Sequence, residues 1–211
     1  MQNDLAARKE RWARKMAGKE TVVPRSEDRL PPGQHLVTDF PVLDLGAKPD
    51  VSLDEWRLKI HGEVENPIEL TWEEFGKLDQ FSDTCDFHCV TTWSQYDMDF
   101  SGVAFFTIAD LVRPNSSAKF VLMTCYDGFT TSLTLDALMD DDVMIAHSWN
   151  GEPLTLEHGW PARVLVPKLY AWKSPKWIRE LRFAAEDKLG YWEKRGYSNT
   201  ADPFTNDRFS R

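Results

Sequence analysis

The chain has 211 residues, 42% of them hydrophobic, enough for one sizeable core and too few to make a second full domain expected. A formal charge of -9 and a pI near 5.1, with no basic stripe interleaved with aromatics, argue against a nucleic-acid partner. No apolar run approaches the roughly 20 residues that cross a bilayer.

Residues 1–22 read as a charged N-terminal tail, partly an amphipathic helix, in which Leu5, Trp12 and Met16 are the large apolar residues. It lacks the apolar centre of an export signal, which predicts a cytoplasmic location where the three cysteines stay thiols. A single domain is expected over 23–190, followed by a tail over 191–211. Prolines at 24, 31, 32, 41 and 49, with Gly33 and Gly46, make Val23 to Pro49 an extended arm lying over the body. Trp56, Leu58 and Ile60 alternate with Arg57, Lys59 and His61, the period of a half-buried strand closed by Gly62. Thr71 before Glu73 and Glu74 marks a short helix over 72–78. Thr84 to Thr91 reads as strand, Thr107 opens a second short helix, and Lys119 to Tyr126 is a strand ended by Asp127-Gly128. Leu135 to Met139 is helical in pattern, and Val143 to His147, Arg163 to Val166 and Trp177 to Phe183 are further strands. Strands and helices do not alternate as a parallel doubly wound sheet requires, so the expected class is α+β, strand-rich with short helical connectors.

Cys89 stands in Asp86-Phe87-His88-Cys89-Val90-Thr91-Thr92-Trp93-Ser94, on or at the end of the predicted strand. Its residue type permits a nucleophile, a redox thiol, a packed core thiol or a soft metal ligand. The histidines at 35, 61, 88, 147 and 158 are scattered without a nucleophile signature. Cys85, His88 and Cys89 cluster, but a structural zinc site needs four ligands and no second pair follows. Cys85 and Cys125 read as buried thiols.

Cys89-Val-Thr-Thr-Trp-Ser94 resembles the metal-binding strand of the sulfite oxidase family of molybdenum enzymes, in particular its small haem-less bacterial branch, which includes the catalytic subunit of a methionine sulfoxide reductase. The resemblance continues in order through Gly102-Val103, Asp127-Gly128-Phe129-Thr130-Thr131-Ser132-Leu133 and Asn150-Gly151-Glu152-Pro153-Leu154. It then takes in His158-Gly159-Trp160-Pro161-Ala162-Arg163, Tyr170-Ala171-Trp172-Lys173 and Lys176-Trp177, so that it spans about His35 to Phe183.

The resemblance implies that fold, a molybdenum held by one pterin dithiolene and by the Cys89 thiolate, and oxygen-atom or two-electron chemistry carried by that cofactor. It implies that Arg163 meets the phosphate or pterin end, that His158 donates to the pterin, that Thr131 lies near the cofactor, and that Ala171, Trp172 and Lys173 form a contacting loop with the lysine near the phosphate. Ala171 replaces the usual glycine of that loop, and Phe100 a usual tryptophan. Asp39 and Phe40 align with a cofactor-covering segment, and His88 would reach the pterin from the face opposite Cys89. Sulfite-oxidising members carry an Asn-Arg-Arg run after the ligand and a tyrosine in the segment aligned with Phe129; here stand Thr91-Thr92-Trp93-Ser94 and a phenylalanine. A weakly charged substrate of sulfoxide type is therefore expected ahead of the sulfite dianion. With no haem motif or flavin fingerprint, electrons are expected from a separate partner, and a monomer is favoured. The alternatives are a non-catalytic carrier of the molybdenum cofactor and a structural zinc protein.

Overall fold

A computed structural model describes residues 29–210; the helix expected over 1–20 lies outside them. Two sheets share one apolar core. The first has six strands: β1 (His35–Leu36), β4 (Gln80–His88), β5 (Trp93–Ala104), β8 (Met144–Trp149), β9 (Glu152–Pro153) and β10 (Arg163–Leu165). The second orders five strands as β3 (Ile68–Thr71), β2 (Arg57–Gly62), β11 (Ile178–Ala184), β6 (Phe120–Cys125) and β7 (Thr130–Thr134). Short helices α1 (Trp72–Gly76), α2 (Phe105–Val112) and α3 (Leu135–Leu138) connect them. The strand-rich α+β architecture expected from the sequence is what forms.

Local chemistry explains the elements. Trp56 and the inward residues of β2, Leu58 and Ile60, are fully buried, as the two-residue period requires. Thr71 caps α1 reciprocally: its hydroxyl accepts from the Glu74 amide while the Glu74 carboxylate accepts from the Thr71 amide. β6, all apolar but for Thr124 and thus without a period of its own in the sequence, alternates in burial, with Val121, Met123 and Cys125 inward.

β5 departs furthest from expectation. At 12 residues it is the longest strand, yet polar Ser94, Gln95, Asp97, Asp99 and Ser101 hide its period. It forms because three strands pair with it: β1 in parallel at Trp93–Ser94, β4 along its length, and β8 from Phe100 to Ala104. β4 begins at Gln80 and ends at His88, so Cys89 sits in the turn between β4 and β5 and not within a strand. A register shift between Cys85 and Phe87 bends β4 just before that turn.

Candidate active site

The β4–β5 turn is closed by the Thr92 amide donating to the Cys89 carbonyl at 3.1 Å and the Cys89 amide donating to the Trp93 carbonyl at 2.9 Å. Cys89 opens onto a cavity of about 340 Å³ that its neighbours Val90, Thr91 and Trp93 also line. Burial raises the Cys89 thiol above its ordinary pKa, and the Thr91 hydroxyl, 3.2 Å from the sulfur, opposes that rise.

Phe40 carries the arm into the cavity wall. Its ring lies edge-on to Phe87, Trp93, Phe100 and Trp149, and stacks on His158 with centroids 4.3 Å apart, so burial of one aromatic fixes the arm's position. Pro41, Val42, Leu43 and Asp44 follow it along the wall.

The loop after β9 supplies the cationic end. Gly159 has φ +108°, and an added Cβ would meet the Cβ atoms of Arg163 and Lys176 at 3.1 Å, so glycine lets these two residues come close. Arg163 donates to the carbonyls of His158 at 3.1 Å and Ser174 at 2.9 Å and stands over the rings of Phe40 and Phe87. Among the described residues no carboxylate pairs with it, and its buried Nε has no acceptor. Burial lowers its pKa to about 10. Lys176 donates to the Glu157 carbonyl at 2.8 Å, with Asp44 4.0 Å away, and burial and then Arg163 lower its pKa to about 8. Burial lowers the His158 pKa; Nε2 donates to the Phe40 carbonyl at 2.9 Å, and the Thr155 hydroxyl lies 2.8 Å from Nδ1.

The other end is aromatic. Trp172, in a 3-10 turn over Ala171–Lys173, meets Tyr197 edge-on at 5.4 Å, and Trp192 meets Tyr197 at 5.0 Å. These three rings and Phe129 line the cavity. Among the described residues the buried indole N–H groups of Trp93 and Trp172 have no acceptor.

Of the residues singled out from the sequence, Cys89, Phe40, His158, Arg163, Ala171 and Trp172 converge on this cavity. Four others do not line it. Asp39 is exposed on the arm one residue before the buried Phe40. His88 is buried behind the turn, bonded to the Ser94 hydroxyl at 2.8 Å and edge-on to Phe204. Lys173 is fully buried in an ion pair with Glu193 at 2.6 Å and also donates to the Ser132 carbonyl and Asn199. Thr131 donates to the same Glu193 oxygen at 2.7 Å. Glu193 thus takes the lysine and the threonine expected at the cofactor and uses them to hold residues 191–199 against the body. Trp192 and Tyr197, in a segment with no sequence signature of its own, join the wall through that anchorage. Lys176 and Thr91 also line the cavity. Cys85 and Cys125 are buried in the core, and among the described residues no three His, Cys, Asp or Glu side chains are grouped to hold a metal ion, so Cys85, His88 and Cys89 do not assemble a zinc site.

A protein-family model described as an oxidoreductase molybdopterin binding domain matches residues 45–192. The chain belongs to this family. It is a molybdopterin-dependent oxidoreductase of the sulfite oxidase-like type. The Bacillus subtilis (strain 168) protein named uncharacterized oxidoreductase YuiH is 39% identical over 183 residues, covering 86% of this chain and 92% of that protein. The Campylobacter jejuni protein-methionine-sulfoxide reductase catalytic subunit MsrP is 28% identical over 155 residues, covering 65% of this chain and 52% of its own. The sulfane dehydrogenase SoxCD of Paracoccus pantotrophus shares the fold, with a TM-score of 0.62 at 24% identity over 71% of this chain and 42% of its own. Among the described residues no helix is long and apolar enough to cross a membrane.

Proposed function

We propose that Cys89 binds molybdenum through its thiolate, that Arg163 and Lys176 face the anionic end of a single pterin cofactor, and that the aromatic end of the cavity admits a weakly charged sulfoxide-type substrate. The observation that carries this reading is one cavity holding a soft thiol sulfur and, among the described residues, a buried guanidinium without a carboxylate and three donors without acceptors, Arg163 Nε, Trp93 Nε1 and Trp172 Nε1. Buried donors without acceptors are costly, and a ligand rich in acceptor atoms and negative charge relieves them. The residues present therefore fit a molybdenum–pterin group, which when bound supplies the two-electron redox step.

The chain's own residues do the rest. The β4–β5 turn holds the sulfur, Gly159 lets Arg163 and Lys176 approach together, and His158 locks Phe40 and the arm over the cavity. Once the two cations face the cofactor, the charged groups left on the wall are Asp44, Asp127 and Glu157, beside Phe129, Trp172, Trp192 and Tyr197. That lining repels a dianion and favours a neutral sulfur compound, since thioether sulfur packs well against aromatic rings. Electrons come from a separate carrier protein or small molecule, in line with the subunit status of the methionine sulfoxide reductase relative.

The test is metal and pterin analysis of protein made in a host that synthesises the cofactor, with Cys89→Ala in parallel and turnover of a methyl sulfoxide set against sulfite. One molybdenum per chain, its loss from the folded variant, and sulfoxide reduction with little sulfite oxidation are expected. Zinc in place of molybdenum, or an unchanged molybdenum signal in the variant, removes Cys89 as ligand; sulfite turnover equal to that of the sulfoxide removes the substrate assignment. Bound cofactor that no artificial donor reduces would point to a carrier.

A further inference from the structure

The sulfur of Cys89 is met by a donor. The Thr91 hydroxyl lies 3.2 Å from Sγ and makes no other side-chain hydrogen bond among the described residues. A hydroxyl donor at this distance stabilises an anionic sulfur more than a neutral thiol.

The turn is held from outside as well. Gln34 Nε2 donates to the Cys89 carbonyl at 3.1 Å, and Arg208 Nη1 donates to the Val90 carbonyl. Thr92 takes a φ of 79°, uncommon for a β-branched residue, and this lets the turn close three residues after the cysteine whose sulfur Thr91 faces. Gln34 and Arg208 both lie outside residues 45–192, so segments beyond the family match fix the position of the sulfur.

We propose that Thr91 is a positioning residue for the Cys89 thiolate, donating its hydroxyl hydrogen to Sγ and so setting the donor strength of the sulfur toward the metal, with Gln34 and Arg208 holding the turn that brings the two together. The inference rests on Cys89 being the metal ligand. A hydrogen bond to a ligand sulfur withdraws electron density from the metal and stabilises its reduced form, which raises the potential. Valine keeps the shape of threonine without the hydroxyl, and serine restores the hydroxyl.

The experiment is a redox titration of the molybdenum-loaded holoenzyme followed by electron paramagnetic resonance, on wild type, Thr91→Val, Thr91→Ser and Cys89→Ser. Thr91→Val is expected to keep its molybdenum and to shift the Mo(VI)/Mo(V) couple to lower potential. The Mo(V) to Mo(VI) ratio at the wild-type midpoint should fall by up to about tenfold, or about 59 mV for one electron. Thr91→Ser is expected to return toward the wild-type value. A Thr91→Val midpoint equal to wild type, in a protein whose signal does change in Cys89→Ser, overturns the role of Thr91 alone. A Cys89→Ser signal identical to wild type overturns the ligand assignment and this inference with it.

Discussion

Glu193→Ala is the most informative perturbation of stability. It leaves the Lys173 ammonium, fully buried, with only the Ser132 carbonyl and Asn199 as acceptors, and it removes the acceptor of Thr131. Burial already lowers the Lys173 pKa, and Glu193 is the first of the groups that oppose the shift. Removing one partner of a buried pair costs about 3–5 kcal/mol, because the other charge stays desolvated. For a chain of this size that corresponds to a fall in melting temperature of roughly 6–20 °C. Equilibrium urea unfolding followed by tryptophan fluorescence reads it, with Lys173→Met combined with Glu193→Leu as the second arm. The double variant, which leaves no orphaned charge, should recover most of the loss. A cost below about 1 kcal/mol for Glu193→Ala, the range of an exposed ion pair, would refute the reasoning.

Lys176 gives a pH-dependent prediction. Its folded-state pKa of about 8 lies below the ordinary lysine value of 10.5, so between these the unfolded chain binds more protons and stability rises with pH. In cofactor-free protein the rise attributable to this group is up to about 3 kcal/mol, and Lys176→Met should flatten it while raising stability at pH 7; urea midpoints from pH 7 to 10 check both. Gly102→Ala places a Cβ 2.1 Å from the Ile145 carbonyl oxygen and 2.6 Å from the Ala146 Cα, so β5 and β8 must separate. A loss of about 3 kcal/mol or more is expected, and a thermal melt equal to wild type would contradict the pairing.

Patterned surfaces were the legible part of the fold. Leu58 and Ile60 in β2 and the Thr71–Glu74 box follow from period and capping alone, whereas β6 was legible as a strand but not in which of its residues turn inward. β5 was not legible: its polar face is satisfied by three neighbouring strands, and that pairing is a long-range property. At the site, the ordered motifs from Cys89 to Trp177 located the cavity. They did not reveal which cations face it, because Lys173 and Lys176 are three apart in a loop and only the buried Glu193 decides that the first turns away. Trp192 and Tyr197 lacked any signature, since an aromatic in an irregular segment reads alike whether it packs, lines a cavity or stands in solvent.

The distribution of the cavity wall over the chain has a practical consequence. The matched family region supplies the sulfur, Arg163 and Lys176, whereas Phe40 through Asp44 precede it and Tyr197 follows it. The wall is thus divided: the arm and Tyr197 lie outside the matched region, while Phe129, Trp172 and Trp192 lie inside it with the sulfur and the cations. Exchanging residues 41–44 and the 194–210 segment between relatives, with Gln34, Phe40, Glu193 and Arg208 retained, is a route to altering part of the wall while the contacts that hold the Cys89 turn are kept.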